Sequence, residues 1–133
     1  MKLIVCLDDK QGMMFNGRRQ SRDRLLMEDL EQYVDGKTVY CTPYSEGLLA
    51  NRRLSYRVTE NPFADAGDAY CFIETLDPAP YAERIDEIVI YRWNRHYPSD
   101  VWFTLDLDQY RLTERVDFVG SSHETITREV WKI

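Results

Sequence analysis

The sequence has few of the residues that build metal centres or disulfide frameworks. Its 133 residues include only three cysteines and two histidines, and no C-x-x-C, H-E-x-x-H or H-x-H-x-D-H string occurs among them. We therefore expect no metal site. The cysteine count is odd, and each cysteine lies in a strand-like run. This pattern predicts that Cys6, Cys41 and Cys71 are reduced, partly buried thiols in a cytoplasmic protein.

Long apolar runs and an excess of positive charge are missing as well. The apolar run from Leu3 to Leu7 stops at Asp8 and Asp9, so it is too short for a signal peptide or a membrane span. A net charge of −6 argues against nucleic-acid binding, since phosphate contacts need a basic surface. We expect neither export nor a membrane or nucleic-acid partner. The two aspartates have no third ligand nearby, so strand-end solvation is the expected state for them.

The sequence does contain the alternation of strand and helix patterns that is typical of an α/β domain. Short apolar runs predict strands, and helical periodicity or a cap residue followed by proline predicts helices. The predicted strands cover residues 3–7, 37–41, 53–59, 69–73 and 86–93, and the predicted helices cover 21–35, 42–49 and 77–84. Residues 10–17 and 60–68 are predicted loops. Ser21 is the expected N-cap of the first helix, and Thr42 that of the second.

The last third of the chain predicts a hairpin. Residues 110–118 and 125–133 alternate apolar and polar side chains, and Gly120 and Ser121 mark the turn between them. The whole chain, 1–133, is long enough for one core and shows no linker. We therefore predict an α/β fold: a single-domain mixed β-sheet flanked by helices, with a C-terminal antiparallel hairpin.

Several local strings, in the same order along the chain, resemble the dihydrofolate reductase family. They are LIVCLDDKQGMMFNG at 3–17, GKTV at 36–39, Arg52-Arg53, APYAERIDEIVIYRW at 79–93 and the segment from 99 to 133. The resemblance covers nearly the whole chain. It implies a dihydrofolate-reductase-like fold, with a cleft that in the family holds a pterin substrate and NADPH.

The chain departs from the family where the resemblance implies the reactive residues. The family's tryptophan falls on Ser21, and the acid that protonates the pterin falls on Leu26. Asp23, one turn earlier, is the remaining candidate for a catalytic acid. Its neighbours Arg22 and Arg24 are expected to hold the carboxylate ionised, which is the wrong state for an acid.

The cofactor positions depart in the same way. The family's Gly-Gly pair, which approaches the NADPH pyrophosphate, falls on Glu74-Thr75, and a glutamate there repels phosphate. The family's phosphate-binding arginine falls near Pro43, and its acid-supporting threonine falls on Tyr91. We therefore expect no cofactor and consider NADPH disfavoured.

A basic cluster precedes the first helix of this acidic protein. It consists of Arg18, Arg19, Arg22 and Arg24. One interpretation is an anion site at a helix N-terminus, assisted by Ser21 and by free backbone N–H groups. The alternative is a solvated loop whose arginines pair with Asp8, Asp9 or Glu28. His96 and His123 lie on separate turns, and no catalytic role is expected for them.

Three hypotheses about function follow. We favour a dihydrofolate-reductase-like protein that has lost reductase activity and binds an anionic small molecule or a partner. The alternatives are a divergent NADPH-dependent reductase and a hydrolase or nuclease that uses the arginine cluster. The predicted ligand-binding residues are Cys6, Met14, Arg18, Arg19, Ser21, Arg22, Arg52, Glu74 and Tyr91. Because Trp93, Trp102 and Trp131 are expected at the surface, a homodimer through a sheet edge or face is a further hypothesis to test.

Overall fold

The computed structural model describes residues 1–133 and contains ten β-strands, three α-helices and two short 3-10 segments. The strands are β1 (Lys2–Leu7), β2 (Gly12–Phe15), β3 (Arg18–Arg19), β4 (Thr38–Cys41), β5 (Ser55–Val58), β6 (Tyr70–Phe72), β7 (Glu87–Arg92), β8 (Val101–Trp102), β9 (Arg111–Phe118) and β10 (Ile126–Lys132). The helices are α1 (Arg24–Val34), α2 (Pro43–Leu49) and α3 (Pro62–Asp65), and the 3-10 segments are Ala79–Arg84 and Leu107–Gln109.

Seven strands form the main sheet, in the order β5-β4-β6-β1-β7-β10-β9. Strand β1 pairs in parallel with β6 and β7, and β4 pairs in parallel with β5 and β6. Strand β10 runs antiparallel to both β7 and β9. The predicted α/β fold, with a mixed sheet and a C-terminal antiparallel hairpin, is confirmed.

The core lies on both faces of this sheet, as expected for parallel strands that are covered on both sides. Successive residues of β1 point to opposite faces, so Leu3 and Val5 join one apolar cluster while Ile4 joins the other. Helix α1 packs on the second face through Leu26 and Leu30, with Met27 and Val34 beside them. This packing fixes the start of α1 against the carboxyl ends of β1 and β7.

The prediction of a loop over residues 10–17 is wrong. Residues 12–15 form β2, the middle strand of a small antiparallel sheet with β3 and β8. Met13 and Met14 are both buried in the core, which draws this segment inward, and β8 supplies backbone partners. That partner lies far along the chain, so the local pattern does not reveal it. Gly12 is required here, because a Cβ on it would lie 1.9 Å from Ser99 Oγ.

The predicted N-caps also need correction. Helix α1 is capped by Asp23, whose Oδ1 accepts the backbone N–H groups of Leu25 and Leu26, and not by Ser21. Thr42 does precede α2, but its side chain makes no capping hydrogen bond. A carboxylate accepts more hydrogen bonds than a hydroxyl, and Asp23 receives others from outside the helix.

Two residues expected at the surface are buried. Trp93 is 4% exposed and packs in the core, whereas Trp102 is 48% exposed. Asp8 is 1% exposed rather than solvated, and it accepts hydrogen bonds from the backbone N–H groups of Gly12 and Tyr97. These bonds outweigh burial and lower the pKa of Asp8 below its ordinary value. Asp8 therefore ties together the two loops that cross this end of the sheet.

None of the helices is long and apolar enough to cross a membrane.

Candidate functional site

A small cavity lies where the carboxyl ends of β1 and β6 meet the start of α1. Cys6, Glu74, Leu26 and Trp93 are among the residues that line it. Its volume is about 20 Å³, which is room for about one water molecule. We call it the central cavity, and it has no space for a ring-sized ligand as it stands.

An ion pair closes one side of the central cavity. Arg19 donates from Nε to Glu74 Oε2 over 2.8 Å and from Nη2 to Oε1 over 3.0 Å. Ser45 Oγ donates to the same carboxylate over 2.8 Å, and the Arg19 guanidinium lies 4.8 Å from the ring centre of Tyr44. Burial raises the pKa of the adjacent Cys6 thiol well above its ordinary value, and the negative charge of Glu74 adds to this, so the thiol is protonated.

Asp23 forms the opposite wall and is the most hydrogen-bonded side chain of the site. Besides capping α1, it accepts the backbone N–H of Ser121 over 3.0 Å and that of Ser122 over 2.9 Å. Burial alone would raise the pKa of Asp23, but these hydrogen bonds and one from His123 outweigh it and hold that pKa well below its ordinary value. The carboxylate is ionised, as expected, but the cause is hydrogen bonding. The flanking arginines are exposed and form no ion pair with it.

His123 connects Asp23 to Ser21 and Tyr97. Its Nδ1 lies 3.0 Å from Asp23 Oδ2, and its Nε2 lies 3.2 Å from Ser21 Oγ and 2.9 Å from the Tyr97 hydroxyl. The imidazole stacks on the Trp93 ring, with 4.7 Å between ring centres and 24° between planes. Both side chains of the His123–Asp23 pair are almost fully buried. The imidazole is therefore held in position from both edges and one face.

An open groove adjoins the central cavity, between the start of α1 and the end of α2. Three cationic side chains line it, Arg22, Arg24 and Arg52, and its volume is about 460 Å³. We call it the arginine groove. Arg24 pairs with Glu28 at 3.2 Å and Arg52 with Glu31 at 3.9 Å, whereas Arg22 makes no ion pair within the chain. The groove is thus incompletely neutralised.

The structure brings together six of the nine predicted ligand-binding residues. Cys6, Arg19, Ser21, Arg22 and Glu74 line the central cavity, and Arg22 and Arg52 line the arginine groove. The other three lie outside both spaces. Met14 is in the core while Met13 reaches the cavity, Arg18 is exposed on β3, and the buried Tyr91 donates its hydroxyl to Asp29 over 2.7 Å.

Sequence reasoning does not identify two features of the site. His123 was assigned to a hairpin turn without a role, and the N-terminus of α1 was expected to offer free N–H groups. Those N–H groups are occupied, since Asp23 accepts from Leu25 and Leu26 and Ser121 Oγ accepts from Arg24. The only local signal was the polar turn Ser121-Ser122-His123, whose partner Asp23 lies about a hundred residues away.

No group of three or more histidine, cysteine or acidic side chains has a geometry that would hold a metal ion.

No protein-family model and no curated protein sequence matches the chain. Among solved structures, the chain is similar to dihydrofolate reductase from Enterococcus faecalis, a structure in complex with NADP(H) and RAB-propyl. The TM-score is 0.64 with 10% sequence identity, over 98% of this chain and 94% of that one. At such low identity the similarity establishes the fold alone. The chain therefore has a dihydrofolate-reductase-like fold, as the resemblance of its local sequence motifs to that family predicted.

Proposed function

We propose that this dihydrofolate-reductase-like protein has lost reductase activity and binds a small anionic ligand in the arginine groove. The Arg19–Glu74 ion pair carries the proposal. It places a fixed carboxylate at the end of β6 and fills the space beside it, while the neighbouring groove keeps cationic side chains open to solvent.

The residues at the end of β6 do not fit a dinucleotide. The similar Enterococcus faecalis enzyme was solved with NADP(H), and the family resemblance puts the cofactor pyrophosphate beside Glu74. In this chain Arg19 and Ser45 hold that carboxylate in place. A pyrophosphate there would meet a negative charge at short range and would have to break a bidentate ion pair. We therefore assign no reaction step to NADPH.

The central cavity also has no group that suits pterin protonation. Leu26, at the position of the family's acid, is apolar and 1% exposed. Asp23 is nearby, but its carboxylate is ionised and fully used as an acceptor. A general acid needs a proton to give at working pH, and a lowered pKa removes it. This supports the loss of reductase activity.

The arginine groove has the features of a weak anion site. Arg22 has no carboxylate partner, and the pairs of Arg24 and Arg52 are exposed or long. Such pairs contribute little to stability, so an incoming anion loses little by displacing them. Phosphate and carboxylate groups suit arginine because its guanidinium donates two parallel hydrogen bonds.

The test is a binding panel with phosphate, pyrophosphate, NADPH and folate. We expect phosphate and pyrophosphate to raise the unfolding temperature, since a ligand at a hundred times its Kd stabilises by about 2.7 kcal/mol. The Arg22→Ala/Arg52→Ala variant should lose this shift. The matched control is Arg111→Ala, which removes an exposed arginine on the distant strand β9.

Reductase activity is tested separately, because NADPH carries phosphates that the groove itself can bind. We expect no protein-dependent oxidation of NADPH with dihydrofolate, and no change in nicotinamide fluorescence. NADPH binding that persists in the Arg22→Ala/Arg52→Ala variant, or dihydrofolate-dependent NADPH oxidation, would favour a divergent reductase instead.

A further inference from the structure

The geometry points to Ser21 as a nucleophile for acyl transfer, with His123 as its general base and Asp23 as the residue that positions His123. Ser21 Oγ lies 3.2 Å from His123 Nε2, and Asp23 Oδ2 lies 3.0 Å from Nδ1. A hydroxyl, an imidazole and a buried carboxylate in this order form the arrangement that activates serine in several unrelated folds. Neither the fold nor the proposed ligand site requires it.

Asp23 determines which ring nitrogen of His123 carries the proton. Its carboxylate is ionised and fixed by backbone N–H groups from two segments, including those of Leu26 and Ser122. An ionised acceptor at Nδ1 keeps the proton on that nitrogen, which leaves the lone pair of Nε2 facing Ser21. The stacked Trp93 ring holds the imidazole plane in this orientation.

Tyr97 restrains this arrangement. Its hydroxyl lies 2.9 Å from Nε2, closer than the 3.2 Å of Ser21 Oγ. A neutral imidazole has one lone pair on this nitrogen, so the two hydroxyl groups compete for it. Removing the Tyr97 hydroxyl would leave His123 Nε2 to Ser21 alone.

Donors for a developing negative charge are also present beside Ser21. The backbone N–H groups of Ser21 and Arg22 donate to no acceptor in the chain, and the Arg22 side chain is exposed next to them. An N–H from the residue after the nucleophile is a common part of an oxyanion hole.

The reaction that these groups support is hydrolysis of an ester. Ser21 Oγ bonds to the carbonyl carbon while its proton passes to His123 Nε2, and the alcohol leaves with that proton as the C–O bond breaks. Water, deprotonated by His123, then bonds to the acyl carbon and releases the acid and free Ser21. The central cavity, with room for about one water molecule, excludes a large acyl group. A preference for esters with an anionic alcohol part would follow from the adjoining arginine groove and rests on the proposed function.

Covalent labelling with methanesulfonyl fluoride, a small uncharged reagent, tests the nucleophile. Ser21 Oγ would bond to sulfur and release fluoride, and intact-mass and peptide mass spectrometry would locate the adduct. We expect one adduct on Ser21, its loss in Ser21→Ala, and unchanged labelling in Ser55→Ala, an exposed serine at the far edge of the sheet. The probe carries no charge, so the result does not depend on the arginine groove.

A second variant, Tyr97→Phe, distinguishes a serine that is activated by His123 from a serine that reacts only because it is exposed. Tyr97→Phe should label about fivefold faster than the wild type, the factor that corresponds to one ordinary hydrogen bond. Equal labelling of Ser21→Ala and the wild type would overturn the inference. So would the absence of labelling in both the wild type and Tyr97→Phe.

Discussion

The Nδ1 atom of His123 lies 3.0 Å from the Asp23 carboxylate, although the two residues are 100 positions apart in the chain. The pair joins the turn between β9 and β10 to the first turn of α1. Its burial means that any change in either residue affects the stability of both segments. Stability measurements therefore have to accompany every functional test of this site.

Asp23 should make the protein sensitive to acid. Its pKa is lower in the folded protein than in the unfolded chain, so its contribution to stability is present above about pH 4 and is lost as the pH falls towards the folded-state pKa. Asp23→Asn should reduce the free energy of unfolding at pH 7 by roughly 2–4 kcal/mol, because it weakens the cap and the bonds to the 121–123 turn.

Urea unfolding between pH 7 and pH 3 measures this effect. The loss of stability on acidification should be smaller in Asp23→Asn than in the wild type. Asp9→Asn is the control, since Asp9 is exposed and its side chain makes no hydrogen bond. An equal acid dependence in the wild type and Asp23→Asn would contradict the low pKa.

Gly120→Ala should disturb the same turn by steric contact. A Cβ at this position would lie 2.5 Å from Asp23 Oδ2 and 2.9 Å from the backbone oxygen of His123. Overpacking of this kind costs roughly 1–3 kcal/mol, measurable by urea unfolding. Gly47→Ala is the matched control, because Gly47 lies within α2 with open space around it, and alanine there should stabilise by about 1 kcal/mol. Similar effects of the two changes would argue against the close packing of the turn.

The Arg19–Glu74 ion pair should appear as a coupling in a double-mutant cycle. Each single alanine variant leaves a partly buried charge without its partner, whereas the double variant removes both. We expect Arg19→Ala/Glu74→Ala to lose less stability than the sum of the single variants, with a coupling of roughly 1–2 kcal/mol. Chemical denaturation of the four proteins gives this value. Strict additivity would mean that the pair does not close the central cavity in solution.

Tyr91→Phe should reduce the free energy of unfolding only slightly, because Asp29, which accepts the hydrogen bond from the Tyr91 hydroxyl, has another strong partner. Asp29 keeps its ion pair with Arg128, whose Nη1 lies 2.8 and 2.7 Å from the two carboxylate oxygens. We expect a loss of about 1 kcal/mol for Tyr91→Phe and of roughly 3 kcal/mol for Arg128→Met, which leaves Asp29 without its counter-ion. Thermal or urea unfolding ranks the two variants, and the reverse order would contradict this account.

The sequence predicted the main sheet because its strands carry their own signal. The apolar runs at β1, β6 and β7 lie in central strands, and such strands are recognisable without knowledge of their partners. The small sheet was not recognisable in this way. The segment that contains Met13 and Met14 has the sequence pattern of a loop. It forms a strand because β8, about ninety residues later, pairs with it.

The candidate site was predicted only in part, for a similar reason. The family resemblance grouped Cys6, Arg19 and Glu74 as predicted ligand-binding residues, and in the structure all three line the central cavity. The sequence did not show that Arg19 would neutralise Glu74, or that Asp23 would bind His123 and displace Ser21 as the helix cap. Each of these interactions is a contact between distant segments. The charge or the capping preference of a single residue does not specify which distant residue it will contact.

The position of β10 has a consequence for how the chain folds during synthesis. This strand emerges from the ribosome after the other six strands of the main sheet, yet it lies between β7 and β9. Until β10 is made, β7 has one unpaired edge and β9 has no neighbour in the sheet, and such edges favour association with other chains. Pairing of β10 with β7 also joins distant parts of the chain, which slows folding. The nascent protein therefore depends on β10 both to complete the main sheet and to cover the strand edges that favour aggregation.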